Sequence, residues 1–143
     1  MKITVFDAEC RPASATAEAL PELLARTDHT LWVDIQGPEP ADLRILHEVF
    51  HFHPLAIEDT TNHQQLPKLE EYADHLFLIL NPLSVDGIDY SFRELDVFCG
   101  ANYVVTVHPD AEPVITEAEG RLSRGYEVQM SASFLLYTVL YTA

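Results

Sequence analysis

Apolar residues along this chain fall in short blocks separated by prolines, glycines and polar clusters. Lys2–Phe6 alternates and is β-branched, which predicts a first strand. Ser14–Arg26 places Ala15, Ala19, Leu20, Leu23 and Leu24 at helical spacing, with Ser14 or Thr16 as cap. Leu31-Trp32-Val33-Asp34-Ile35 reads as a buried strand, ended by Gly37-Pro38-Glu39-Pro40. A proline suits a first helical turn, where its missing N–H is not needed. The spacing therefore predicts a helix over Pro40–Phe50, with Leu43, Leu46 and Phe50 on one face, and a short helix over His53–Asp59.

Thr60–Pro67 is polar and predicts a loop, and Lys68–Tyr72 leads from it into a strand at His75–Leu80. Asn81–Gly87 reads as a turn, Phe92–Phe98 alternates as a strand, and Tyr103–His108 follows after Gly100-Ala101-Asn102. Those last two strands should form a hairpin. Pro113–Arg124 predicts a helix with Val114, Ile115, Ala118 and Leu122 inward. A final helix, capped by Ser131 or Ser133, carries Phe134, Leu135, Tyr137, Leu140 and Tyr141. Strands and helices in this order predict one α/β domain, layered α/β/α, around a mixed sheet of parallel and antiparallel strands. The last helix is still apolar at Leu140-Tyr141 and shows no glycine cap, so the chain is expected to be cut within a longer helix.

The 143 residues suffice for one core. No apolar run approaches the roughly 20 residues of a membrane span, and the first residues show no basic region followed by a long apolar stretch. Cys10 and Cys99 lie in no metal or redox spacing and are read as reduced thiols of a cytoplasmic protein. Charge changes the picture most. Eight Lys+Arg stand against 23 Asp+Glu, a net −15 at pH 7. Such a surface repels phosphate backbones, which argues against nucleic acid as a partner, and it draws in cations.

Enzyme machinery is missing from the sequence: no Gly-x-x-x-x-Gly-Lys loop, Gly-x-Ser-x-Gly elbow or Gly-x-Gly-x-x-Gly fingerprint occurs. Lysine occurs only at Lys2 and Lys68, and Lys68 is read as an ion pair holding a loop to a strand. The candidate metal ligands are Glu58 and Asp59. Adjacent residues on a helix diverge by about 100°, which suits bridging two neighbouring sites or two chains, and carboxylate oxygens suit hard Mg²⁺ or Ca²⁺. In an extended segment His51 and His53 would point the same way, compatible with Zn²⁺, but His53 precedes a proline and reads better as a helix-entry residue. His29, His47, His63, His75 and His108 are scattered and read as surface or hydrogen-bonded groups.

Three stretches taken together carry a resemblance. Trp32-Val33-Asp34-Ile35-Gln36-Gly37-Pro38, His53-Pro54-Leu55-Ala56-Ile57-Glu58-Asp59 and His63-Gln64-Gln65-Leu66-Pro67-Lys68-Leu69-Glu70-Glu71-Tyr72 resemble the CorA magnesium-transporter family. Asn102–His108 and Leu135-Leu136-Tyr137 are similar to it as well. The resemblance implies the N-terminal cytoplasmic domain of a homopentameric divalent-cation transporter. The stalk helix, two membrane helices and Gly-Met-Asn pore motif are not in this sequence. Residues 1–143 are then expected to be a single regulatory domain on the cytoplasmic face of the membrane, its partners being its own stalk and transmembrane segments and its copies in the ring. By itself it would be a monomer or dimer.

The resemblance further implies that Glu58 and Asp59 bind regulatory Mg²⁺ weakly, shared between subunits, with Co²⁺ or Zn²⁺ as alternative ions. Where some members carry a further aspartate, this chain has Tyr141. Cation bridging would hold a closed ring, and carboxylate repulsion at low Mg²⁺ would loosen it. The competing readings are a zinc or transition-metal transporter of the same architecture, which His51, His53 or His63 would support, a free-standing carboxylate-rich metal-dependent enzyme, and an acidic interaction domain without an ion role.

Overall fold

Leu31, Val33 and Ile35 point to one side of their strand and Trp32 to the other, and that alternation divides the molecule into two cores. The computed structural model describes residues 1–62, 65–125 and 128–143. In chain order the elements are β1 (Lys2–Phe6), β2 (Pro12–Ala15), α1 (Leu20–Ala25), β3 (Thr30–Gln36), α2 (Pro40–Glu48), α3 (Pro54–Asp59) and β4 (Lys68–Glu71). There follow β5 (Leu76–Leu80), β6 (Leu83–Asp86), β7 (Asp89–Phe92), β8 (Leu95–Cys99), β9 (Tyr103–His108), α4 (Pro113–Ser123) and α5 (Ala132–Thr142). Seven strands form one sheet in the order β2-β1-β3-β9-β8-β5-β4. Only β3 and β9 run parallel, with Asp34 opposite Thr106 and Gln36 opposite His108; the other pairs are antiparallel.

On one face Leu20 of α1, Leu46 of α2 and Ala56 of α3 cover Ile3, Leu31, Val33, Ile35, Phe77, Ile79, Phe98, Val105 and Val107. On the other, Val114, Ile115, Ala118 and Leu122 of α4 join Leu135 and Val139 of α5 over Phe6, Trp32, Leu95, Val97 and Val104. The domain is thus α/β/α with a mixed central sheet. Phe52 stacks on Phe98 with ring centroids 4.0 Å apart, inside the first core. β8 and β9 form the expected hairpin, and the connection is tight: a Cβ on Gly100 would lie 2.2 Å from the Tyr103 ring.

Four segments differ from the pattern-based reading, the first being the strand read over Phe92–Phe98, which breaks at Arg93-Glu94 into the end of β7 and the start of β8. Residues 12–15 form an antiparallel edge strand on β1 rather than the start of a helix. Asp7 Oδ1 accepts from the N–H groups of Glu9 and Arg11, and that turn folds Ser14 back onto Thr4, so helix begins only at a 3₁₀ turn over Ala17–Ala19. Lys68–Glu71, read as a lead-in, is a full edge strand on β5. Asn81–Phe92 contains a second, two-stranded hairpin, β6–β7, turning at Gly87 (φ 63°) and Ile88. Its apolar residues Leu83, Val85, Tyr90 and Phe92 face solvent instead of a core. Ser131 caps α5, its hydroxyl accepting from Phe134 N–H, while Tyr137, Leu140 and Tyr141 lie on the exposed side.

Candidate functional site

Helix α3 presents the two carboxylates. His53 caps it, with Nδ1 accepting from Leu55 N–H at 3.1 Å, and Pro54 supplies the first turn. Ala56 is buried and Ile57 partly so, which seats the helix on the first core and turns Glu58 outward. Glu58 is exposed and has no ion-pair partner among the described residues. Asp59 is turned further in, its side chain 22% exposed. The two thus diverge, as adjacent helical positions must.

Asp59 is already held from within the chain. Lys68 Nζ lies 2.5 Å from its Oδ2 and 2.7 Å from Glu70 Oε1. Gln65 Nε2 donates to Asp59 Oδ1 at 3.1 Å, and Gln65 N–H donates to Glu94 Oε2. Tyr72 OH donates to Glu70. The hydrogen bonds it donates to Asp59 first and Glu70 second hold the Lys68 ammonium well above the ordinary lysine pKa. The expectation that Lys68 ties the loop to a strand therefore holds: it joins α3 to edge strand β4. Beneath this network sits Asp96, on the same sheet row as Lys68, Ile79 and Val107. Burial first, and the Glu94 carboxyl second, push its pKa up to about 9.

The histidines do not converge. The His51–His53 segment is not extended: His51 sits at φ 59° and His53 is committed to its cap. His75 is buried between Phe52 and Tyr72, with Nδ1 on Asp74, and His29 bonds Leu23 O. His63 and Gln64 lie outside the described residues. Among the described residues no three His, Cys, Asp or Glu side chains stand where one metal ion could be held. Cys10 and Cys99 are both free thiols. Tyr141 is exposed at the end of α5, with the Arg121 guanidinium 4.6 Å over its ring.

A second polar network, absent from the sequence reading, closes the C-terminal ends of the parallel pair. His108 Nδ1–H donates to Asp110 O, and His108 Nε2 meets Asp34 Oδ1 at 2.9 Å. Thr106 Oγ1 donates to Asp34 and accepts from Trp32 Nε1. Burial lowers the imidazole's pKa, but the hydrogen bond and charge of Asp34 outweigh it and leave His108 above 6.5. Alongside, Arg93 grips Glu112 through two bonds of 2.9 and 3.0 Å. His108, Asp110, Arg93 and Glu112 line an open depression of about 760 Å³, with Phe92 and Leu66 supplying apolar walls. Arg93 and Glu112 pair with each other there, and the His108 ring is held between Asp34 and the Asp110 carbonyl. The one signal for this network in the sequence is the matched spacing of Trp32-Val33-Asp34 and Val104-Val105-Thr106, which a parallel register brings side by side.

Residues 27–142 match the family described as CorA-like Mg²⁺ transporter protein. The putative metal ion transporter YfjQ of Bacillus subtilis is 41% identical over 91 residues, 64% of this chain and 28% of that protein. The cobalt/magnesium transport protein CorA of Thermotoga maritima is 25% identical over 114 residues, 76% of this chain and 32% of that protein. The chain therefore spans about a third of the length of these curated relatives. The soluble domain of CorA from Methanocaldococcus jannaschii superposes with a TM-score of 0.71 at 18% identity, covering 98% of this chain and 54% of that one. No helix among the described residues is long and apolar enough to cross a membrane. With its α/β/α layering and a match over residues 27–142, the chain belongs to the CorA-like Mg²⁺ transporter family.

Proposed function

We propose that this chain is the cytoplasmic, ion-sensing domain of a homopentameric CorA-like divalent-cation transporter, and that Glu58 and Asp59 are its regulatory metal ligands. The observation that carries this reading is Glu58, an exposed carboxylate with no counter-ion among the described residues, beside Asp59, whose one cationic partner there is Lys68. The donor chemistry fits the ion. Two hard carboxylate oxygens favour Mg²⁺, which keeps most of its waters and binds through one or two carboxylates. Among the described residues no third such side chain converges with them, so the remaining ligands would come from water and an adjoining subunit. The role is binding and gating rather than catalysis.

Physically, a cation bridging carboxylates of adjacent subunits stabilises whichever arrangement brings them together, and it shifts the equilibrium only by that difference in affinity. Without the cation, domains of net charge −15 repel across the seam, although salt screens this beyond about 8 Å. Magnesium is the ion of choice, with Co²⁺ the alternative that binds similar oxygen sites. Zn²⁺ is less suited, since His53 is spent on its cap, His75 on stacking and His29 on a backbone carbonyl. Isothermal titration of the isolated chain with MgCl₂ tests the assignment. Weak binding lost in Glu58→Ala plus Asp59→Ala is expected. Tight binding unchanged by that pair of substitutions would refute it.

A further inference from the structure

Both oxygens of Asp59 are engaged before any metal arrives: Oδ1 by Gln65 and Oδ2 by Lys68. Granted that Asp59 is a regulatory ligand, on which this inference rests, we propose that Lys68 is an internal competitor of the divalent cation. Its ammonium occupies Asp59 when the ion is scarce and withdraws to Glu70 when the ion binds.

The geometry supplies each requirement of such an exchange. An ammonium is a compact charge with three donors on a flexible stem, so it can serve two carboxylates and shift between them without breaking a fork. Lys68 contacts both already, at 2.5 and 2.7 Å. Its side chain is 35% exposed, which leaves the head room to move. Its Nζ lies 5.8 Å from the Phe77 ring centroid, a contact on the Glu70 side of the sheet that survives the shift. Tyr72 OH holds the other oxygen of Glu70 at 3.2 Å, so the receiving carboxylate stays in place. Asp59 and Lys68 come from different elements, a helix end and an edge strand, and in the loop between them Gln65 bonds both Asp59 and the Asn62 carbonyl. Exchange of Lys68 for a cation would therefore be felt in the loop that joins α3 to β4. The competition also sets the sensing threshold: apparent affinity at Asp59 is the intrinsic affinity reduced by the ammonium's hold.

A purely structural pin predicts the opposite sign. Losing it would loosen the end of α3 and weaken the metal site, whereas losing a competitor strengthens it. The test is an NMR titration of the ¹⁵N-labelled chain with MgCl₂ at constant ionic strength, following the Glu58, Asp59 and Thr60 amides. Lys68→Met should tighten the apparent Kd about three- to fivefold, the ratio a partly exposed ion pair supplies. Lys68→Arg should restore the wild-type value. Lys2→Met removes the same charge beside Glu119, remote from α3, and should leave the Kd unchanged.

Unchanged or weaker binding in Lys68→Met overturns the competition, while loss of the local shifts in Glu58→Ala plus Asp59→Ala keeps the site itself. Local shifts that survive the double substitution overturn the site and the competition together. If Lys68→Met loses its dispersed spectrum, thermal unfolding of Lys68→Gln replaces the titration. Magnesium should raise its Tm more than that of the wild type, and an equal or smaller rise overturns the proposal.

Discussion

Asp96→Asn should make this protein more stable at neutral pH, although it replaces a buried polar group. Asp96 is 2% exposed in the middle of the sheet, and its Oδ1 has no hydrogen-bond partner. Burial, reinforced by Glu94, lifts its pKa from 3.8 to about 9. A pKa raised on folding means the native state keeps a proton that the unfolded chain gives up. The stabilising contribution is complete below the unfolded value and declines as pH rises towards the folded one. Between about pH 4 and 9 the loss is about 1.4 kcal/mol per pH unit. At pH 7, some three units into that window, ionisation of the unfolded chain costs the fold about 4 kcal/mol.

Asparagine keeps the shape, cannot ionise, and offers an N–H₂ to the Glu94 carboxyl. The expected gain is therefore about 2 to 4 kcal/mol at pH 7, after allowance for an imperfectly paired amide. Urea unfolding followed by the fluorescence of buried Trp32 measures it. The difference between variant and wild type should be near zero at pH 4, reach about 2 to 4 kcal/mol at pH 7 and keep growing to pH 8.5. A difference that does not change with pH, or a variant less stable than wild type at pH 7, would refute the argument.

The charged His108–Asp34 pair carries a second test of pH at another site. Because the imidazole's pKa is raised above 6.5 by Asp34, its contribution is present at pH 5 to 6 and lost as pH climbs past the native value. Asp34→Asn should therefore cost more stability at pH 6 than at pH 8.5, as urea midpoints will read, and equal costs would refute it. Gly100→Ala should lose about 1 to 3 kcal/mol, since the added methyl meets the Tyr103 ring at 2.2 Å and must displace it, seen as a lower Tm. Tyr90→Lys, on the solvent-facing side of β6–β7, should change stability by less than about 0.5 kcal/mol in the same assay, which checks that this apolar face is no part of either core.

Local pattern settled which segments could be strands and helices. The runs at Leu31–Ile35, Leu76–Leu80 and Tyr103–His108 are too apolar to be anything but buried, and Pro40, Pro54 and Pro113 each open a helix. The four inward residues of α4 followed from period alone, and so did the divergence of Glu58 and Asp59. Where local and global preferences disagree, the residues misled. Ser14 and Ala15 have helical spacing, yet the Asp7 turn delivers them to β1. The alternation in Leu83–Asp86 and Asp89–Phe92 has no core to explain it, so it read as a turn.

Charge pairing lay further out of reach. Lys68 meets Asp59 across a loop, Arg93 meets Glu112 across a hairpin, and His108 meets Asp34 across 74 residues of chain. Periodicity reports which side of an element a residue occupies, because that is fixed by the backbone's own repeat. It cannot report what stands opposite, because sheet order and register arise only when distant strands close on one another. The acid buried at Asp96 and the ammonium seated on Asp59 are both products of that closure.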